Sequence, residues 1–428
     1  MSSYKIIGQK PLKGTVEPVP NKNSILKLIP AALLTKQTVT IHNVPKSSDV
    51  RIMLKLVKQL GGKVSYLNEG NSVRINAENL NTFELDPELS QKAKASVMFM
   101  APLLLRFKKA HMPIPGGCKL GSRPLDAFME NMEQLGAKYV RDKGYFLEAD
   151  NLKANKVWAW FPSVTGTENL IMLATMTPGR TEIYNAACEP HTQDLCNMLV
   201  AMGAKISGIG TNRIVIEGVQ ELHGTEWTVI SDHLDVGALI AAAAMTNGDV
   251  VINNAIPEHM GIILQVFEKL GVQVNIDGDS IHVPPNQKLD ISVTARGDLL
   301  EIMALPWPLF PVDLIQIVIA TALKAKGTVI IHSPMQEYGL FWIEELIKMK
   351  SKIVMADPHR AITFGPTEFQ GTKIFAPNII QATMALFLTA LAGCGETILV
   401  DRDDALLRRY PDIVEKYTAL GASVERIN

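Results

Sequence analysis

An α/β protein of two domains, with helices inside and small sheets outside, is the fold the sequence predicts. Three observations predict it. A pattern of helix, turn and short strand pair recurs six times along the 428 residues, about 70 residues apart. Several helices are apolar all round, as in "VGALIAAAAM" and "ATMALFLTALAG", which marks them as buried. The strands alternate apolar and polar, as in "NRIVIEG" and "DSIHVP", so each covers a core on one face and meets water on the other.

In chain order, the copies are "LVKQLGGKVSYLNEGNSVRI", "NMEQLGAKYVRDKGYFLEA", "MLVAMGAKISGIGTNRIVIEG", "VFEKLGVQVNIDGDSIHV", "LIKMKSKIVMADPHRAITFG" and "KYTALGASVERIN". They turn at Gly61, Gly136, Gly203, Gly271, Lys350 and Gly421. Glycine reverses a chain at a helix end with little steric cost. Most copies follow a second motif of apolar helix, turn and strand, as in "AALLTKQTVTIHNV", "LATMTPGRTEIYNA", "AAAAMTNGDVVINNA", "ATALKAKGTVIIHS" and "LTALAGCGETILV". Each unit therefore reads helix, strand, helix, strand, strand. The second unit is irregular, with "FKKAHMPIPGGCKLGSRPLD" where its siblings have a plain strand. Three units per domain is the simplest division, with a break near residues 221–231.

Composition excludes several function classes. Hydrophobic residues make up 47% and charged residues 20%, which supplies a large core and excludes a disordered or fibrous chain. Forty-two Lys and Arg against 43 Asp and Glu give a net charge of -1. Bulk electrostatic capture of nucleic acid or an anionic membrane is not expected. The four cysteines form no CxxC pair and no disulfide framework, so a reducing compartment is expected. The first ten residues lack the apolar core of a signal peptide, and the most apolar runs are interrupted or too short for bilayer spans. The expectation is a cytoplasmic protein. The nine histidines show no metal-ligand spacing, and no "GSGKT"-like or "GxGxxG" loop is present, so neither metal nor cofactor is expected.

Three places hold polar residues that need explaining. In "PIPGGCKLGSRPLD", Cys118 follows two glycines and is followed by Lys119 and Arg123. A thiol among cations is expected to be acidic and reactive; the plain alternative is a buried, inert cysteine. Cys188, Cys196 and Cys394 read as packing residues. Lys22 and Asn23 open a helix, where unpaired N–H groups favour an anion; a solvated lysine is the alternative. Asp313 sits in the apolar run "FPVDLIQIVIA" and must be a helix cap, paired or functional.

These residues carry a resemblance to the enolpyruvyl transferase family, and within it to the UDP-N-acetylglucosamine 1-carboxyvinyltransferases. The matching motifs are Lys22-Asn23 opening a helix, "GGC" ending in Cys118, Gly121 with Arg123-Pro124, "NAACEPHTQDLCNMLVAMGAKISGIGTNRIVIEG", "FPVD" ending in Asp313, and a tail carrying Arg408, Tyr410, Lys416 and Arg426. The resemblance runs from end to end. It implies a two-domain inverse α/β barrel in which residues 1–21 join residues 231–428 and residues 22–230 form the other domain.

The resemblance also implies a reaction. A hydroxyl of UDP-N-acetylglucosamine adds to C2 of phosphoenolpyruvate, C3 is protonated, and phosphate leaves, in peptidoglycan precursor synthesis. Cys118 is the implied proton donor and fosfomycin target, and Asp313 the group at the acceptor hydroxyl. Lys22, Arg123 and Arg408 would cage the anionic donor, with Lys94 in place of the family's arginine. Asn23, Pro124, Leu125, Asp126 and the "SVTG" run of Ser163, Val164, Thr165 and Gly166 would bind substrate. A monomer is favoured.

The chain also departs from the family pattern. Phe128 stands for a histidine and Phe161 for a lysine, both around the uridine diphosphate. Gly339 stands for an arginine, and near Gln381 the family's "DLR" is "IIQ". The acceptor pocket is therefore expected to be more apolar. Enolpyruvyl transfer to another nucleotide or sugar-like acceptor, and a non-catalytic paralogue, are the alternatives.

Overall fold

The computed structural model describes residues 2–113, 125–142 and 144–427. By contacts the chain divides into two compact units. One holds residues 2–19 and 231–427, the other residues 20–113 and 125–230. Each is a mixed α/β unit with its own hydrophobic core.

The six predicted turns form as the sequence implies. Gly61, Gly136, Gly203, Gly271 and Gly421 have φ between 86° and 102°, and Lys350 adopts φ 67°. Each turn ends an outer helix and starts a strand: Ser48–Gln59 leads to Lys63–Leu67, and Pro190–Ala201 leads to Lys205–Ser207. A side chain with φ in this region is strained, so the fifth copy carries a local cost that its glycine siblings avoid.

The apolar helices lie inside. In one unit, Lys22–Ala31 is buried at every residue but Asn23, and Val164–Thr175 is buried from Gly166 onward. In the other, all of His233–Met245 is buried and packs against Ile315–Lys324 and Ile380–Ala392. Small residues permit this close approach. A Cβ placed on Gly237 would lie 3.1 Å from the methyls of Leu314. Burying an aliphatic side chain stabilises by about 1.5–3 kcal/mol, so these helices hold much of each core's stability.

The strands lie outside. Five sheets have four strands, and one has three among the described residues. In Arg213–Glu217, Ile214 and Ile216 are buried while Arg213 and Glu217 are exposed. Each four-stranded sheet has a short strand that the sequence did not reveal, pairing in parallel at one edge. Examples are Glu226–Thr228 on Thr38–His42 and Lys373–Phe375 on Glu396–Asp401. At three or four residues these strands are too short to show a period. The second unit does contain a plain strand at the start of its irregular segment. Lys109–Met112 pairs with Gly144–Glu148, which corrects the expectation that no such strand is there.

The sixth hairpin is completed from the other end of the chain. Ser2–Ile7 lies between Glu396–Asp401 and Ser423–Ile427, antiparallel to both. Arg426 fixes this closure by donating to the Ser2 hydroxyl at 2.6 Å. Among the described residues no helix is long and apolar enough to cross a membrane.

Candidate functional site

The candidates fall in both units. Residues 20–230 carry Lys22, Asn23, Lys94, Leu125, Asp126 and Ser163–Val164–Thr165–Gly166; residues 231–427 carry Asp313 and Arg408. Cys118, Arg123 and Pro124, together with Lys119, lie outside the described residues.

Lys22 is the first residue of the Lys22–Ala31 helix, whose N-cap Asn21 accepts from the Ser24 N–H at 3.0 Å. The cap orients the helix start that the sequence predicts as an anion site. Lys22 is not solvated. It is 5% exposed and its Nζ lies 2.5 Å from Asp49, itself in the first turn of the next helix. Sequence reasoning missed Asp49. The only signal was an acid two residues after the Ser47 cap, which describes many helix starts. Ser24 adds a second tie, since its hydroxyl donates to the buried Asp194. Asp194 also accepts from Trp227 Nε1 at 2.9 Å, and burial pushes its carboxyl up to about 6. One turn on, Lys27 lies 3.3 Å from the fully buried Glu168. Burial raises the Glu168 carboxyl above its ordinary range, against the pull of Lys27.

Lys94 opens the Lys94–Phe99 turn, which packs against the Lys22–Ala31 helix. Leu125 precedes the Asp126–Glu133 helix, and its carbonyl accepts from Met129. Ser163 caps the Val164–Thr175 helix, accepting from the Gly166 N–H at 3.3 Å. Beside this helix start, Trp160 is 69% exposed and Phe161 37%, with their rings 6.2 Å apart. Phe128 behaves differently from its expected role. It is 1% exposed and packs in the unit's core, so it supplies no face to an acceptor. An aromatic ring on the inner side of the Asp126–Glu133 helix is better buried than wet.

In the other unit, Asp313 is half-buried in the Val312–Leu314 turn just before the Ile315–Lys324 helix. The helix-cap reading is not what forms: the cap position is Leu314, and no side chain caps this helix. The Asp313 carboxylate makes no hydrogen bond among the described residues, while its charge acts on Asp232 and Arg409. Those two form a buried ion pair of 2.7 Å. Burial works against the Arg409 charge, but Asp232, with smaller help from Tyr410 and Asp313, holds its pKa above the ordinary value. Asp232 also caps the His233–Met245 helix, accepting from the Leu234 N–H at 3.0 Å.

Asp235 ties the N-terminal segment to this helix. It accepts from the Val19 N–H at 2.8 Å and pairs with Lys416 at 3.1 Å. Arg408 ends the Leu406–Arg408 turn and donates to Asn378 Oδ1 at 3.3 Å. Two acids opening an all-apolar helix in "SDHLDVGALIAAAAM" were the signal that could have found Asp232 and Asp235. Arg409 had none beyond its adjacency to Arg408.

Cys188 and Cys196 are buried, and burial pushes their thiols up to about 11 and about 12, as suits packing residues. The half-buried Cys394 accepts from Gln9 Nε2 at 2.7 Å.

Comparison with known proteins places the chain beside one group. The family model for EPSP synthase (3-phosphoshikimate 1-carboxyvinyltransferase) matches residues 6–417. A UDP-N-acetylglucosamine 1-carboxyvinyltransferase of Bradyrhizobium diazoefficiens is 39% identical over 99% of this chain and 98% of its own. One of Bacteroides thetaiotaomicron is 38% identical over the whole of both. Among solved structures, the enolpyruvyl transferase NikO from Streptomyces tendae superposes with a TM-score of 0.86 at 21% identity, over 99% of each chain. EPSP synthase from Acinetobacter baumannii gives 0.77 at 16% identity, over 100% of each.

Proposed function

The chain belongs to the enolpyruvyl (1-carboxyvinyl) transferase family, and we propose that it transfers the enolpyruvyl group of phosphoenolpyruvate to a hydroxyl of UDP-N-acetylglucosamine, releasing phosphate. The observation that carries this reading is the end-to-end likeness, at 36–39% identity, to proteins named for that reaction. Such a product feeds peptidoglycan synthesis.

The chemistry assigns each candidate a task. The acceptor oxygen bonds to C2 of phosphoenolpyruvate as its proton leaves, and C3 gains a proton to become a methyl group. C3 then loses a proton, the C2–O bond to phosphate breaks, and the double bond re-forms. Asp313 takes or orients the acceptor proton, since its carboxylate has no hydrogen-bond partner among the described residues and lies at a helix start. Cys118 delivers the proton to C3. Lys22, Arg123 and Arg408 balance the donor's charges, which one cation does not balance in a water-poor site. Lys94 adds a charge without an arginine's bidentate fork. Asn23, Pro124, Leu125, Asp126 and the Ser163–Gly166 helix start position the acceptor.

A second reading keeps the reaction and changes the acceptor. Phe161 and Trp160 put two exposed rings beside the Ser163 cap, where the family pattern has a lysine at the Phe161 position. That surface suits a stacked ring better than a diphosphate. Phosphate release from phosphoenolpyruvate, measured with UDP-N-acetylglucosamine and with a panel of other nucleotide sugars, tests both readings. Release that depends on UDP-N-acetylglucosamine supports the first. Release with another acceptor alone supports the second, and none with any acceptor refutes both.

A further inference from the structure

The helix that carries Lys22 and Asn23 starts inside a closed ring of hydrogen bonds. Asp194, in the Pro190–Ala201 helix, accepts from the Ser24 hydroxyl. The Ser24 N–H donates to Asn21 Oδ1 at 3.0 Å, and the Asn21 N–H to the Ile230 carbonyl at 2.8 Å. The Ile230 N–H donates back to the Asp194 carboxylate and closes the ring. Lys22 and Asn23 are the two residues between the Asn21 and Ser24 links, so the ring fixes the backbone on both sides of them. Asp49 holds the end of the Lys22 side chain. Asp194 holds the backbone from which that side chain projects.

The ring is dry: Asp194 is 2% exposed, and Asn21 and Ser24 are fully buried. Asp194 meets three donors, the Ser24 hydroxyl, Trp227 Nε1 and the Ile230 N–H. A carboxylate accepts on both oxygens, whereas an amide has one acceptor oxygen and would turn its NH2 toward a donor. The carboxylate is nonetheless costly to keep, since burial pushes it up to about 6 in spite of these donors. A buried charge retained against stability, at a helix start with two candidate substrate ligands, points to work on the ligands rather than to folding. The same stretch of the Pro190–Ala201 helix reaches the next turn as well. Thr192 donates to Glu168, the partner of Lys27.

We infer that Asp194 is a positioning residue for Lys22. By closing the ring through Ser24 it holds the Lys22 backbone where the ammonium meets phosphoenolpyruvate, and Asp194 itself does not touch the ligand. The inference rests on the reading that Lys22 binds phosphoenolpyruvate.

Calorimetric titration of phosphoenolpyruvate into the full chain tests this, with differential scanning calorimetry of the same samples. Asp194→Asn is expected to raise the Kd about 5- to 10-fold, through one broken link in the ring. It should melt no lower than wild type, so the weaker binding is not a general loss of structure. Ser24→Ala opens the ring from the other side with the carboxylate intact and should raise the Kd by a similar factor. Lys22→Ala/Asp194→Asn should bind no more weakly than Lys22→Ala alone, because both substitutions act on one contact.

A Kd within about twofold of wild type in Asp194→Asn or in Ser24→Ala overturns the inference. Losses that multiply in the double variant also overturn it, since Asp194 would then act other than through Lys22. If Lys22→Ala weakens binding and Asp194→Asn does not, the inference alone fails. If Lys22→Ala binds as tightly as wild type, or wild type does not bind phosphoenolpyruvate, the assignment of Lys22 fails and the inference falls with it.

Discussion

Replacing Arg409 by Leu is the sharpest test of the polar cluster around Asp232. The guanidinium is 5% exposed and its partner carboxylate 0%, at 2.7 Å. Removing it takes away the cation that offsets the burial of Asp232, whose carboxyl is already raised by that burial and by Asp235 and Asp313. Breaking one side of a buried pair costs about 3–5 kcal/mol. A unit of some 200 residues loses about 2–4 °C of melting temperature per kcal/mol, so its transition should fall by roughly 6–20 °C. The helix cap offers an internal control. In Arg409→Leu/Asp232→Asn the amide oxygen can still accept from Leu234, while the stranded charge is gone. That double variant should recover most of the loss, because replacing both partners of a buried pair is often close to neutral. Differential scanning calorimetry of the four chains in the cycle gives the coupling. A single variant that melts within about 2 °C of wild type would refute the argument that this pair holds the unit together.

Other perturbations have equally definite outcomes. Asp194, held up to about 6 by burial against an ordinary value of 3.8, binds a proton in the folded state that the unfolded state has lost. Stability should therefore fall as pH rises from about 4 to about 6 and stay reduced above that window; Asp194→Asn should remove this slope and gain on the order of 3 kcal/mol at pH 7, read by urea unfolding across pH. Lys350→Gly should raise the melting temperature slightly, by the equivalent of about 0.5–1 kcal/mol, since φ 67° suits glycine and strains lysine; a lower melting temperature would contradict this. Lys22→Ala should raise the Kd for phosphoenolpyruvate at least about 10-fold, and an unchanged Kd would remove Lys22 from the anion cage. Fosfomycin should add once to the intact protein, on Cys118 by peptide mapping. An adduct confined to Cys188, Cys196 or Cys394 would sink the assignment of Cys118.

The repeat was legible because its physical cause is local. A helix that must reverse into a strand needs φ above zero at one residue, and glycine marks that residue in five copies of six. The inner helices were legible because nothing but burial explains "HLDVGALIAAAAM". The parallel edge strands were not, since three residues such as Glu226–Thr228 form a strand only because Thr38–His42 lies beside them. The site was read in part. Lys22 and Asn23 stand where the sequence placed them, at a capped helix start. Asp49 and Asp194, the partners of Lys22 and Ser24, did not show, because they come from distant segments and pair only through tertiary packing. Phe128 was misread for the same reason. Sequence gives the residue but not which side of its helix faces the core.

The most direct test of the proposed reaction is to run it in heavy water and examine the product by mass and proton NMR. Addition followed by elimination turns C3 into a methyl group for the lifetime of the intermediate, with one hydrogen drawn from solvent. The account predicts an enolpyruvyl ether of UDP-N-acetylglucosamine, equimolar phosphate, and deuterium at C3 of the product. Phosphate release with no deuterium at C3, or with no enolpyruvyl ether formed, would contradict it.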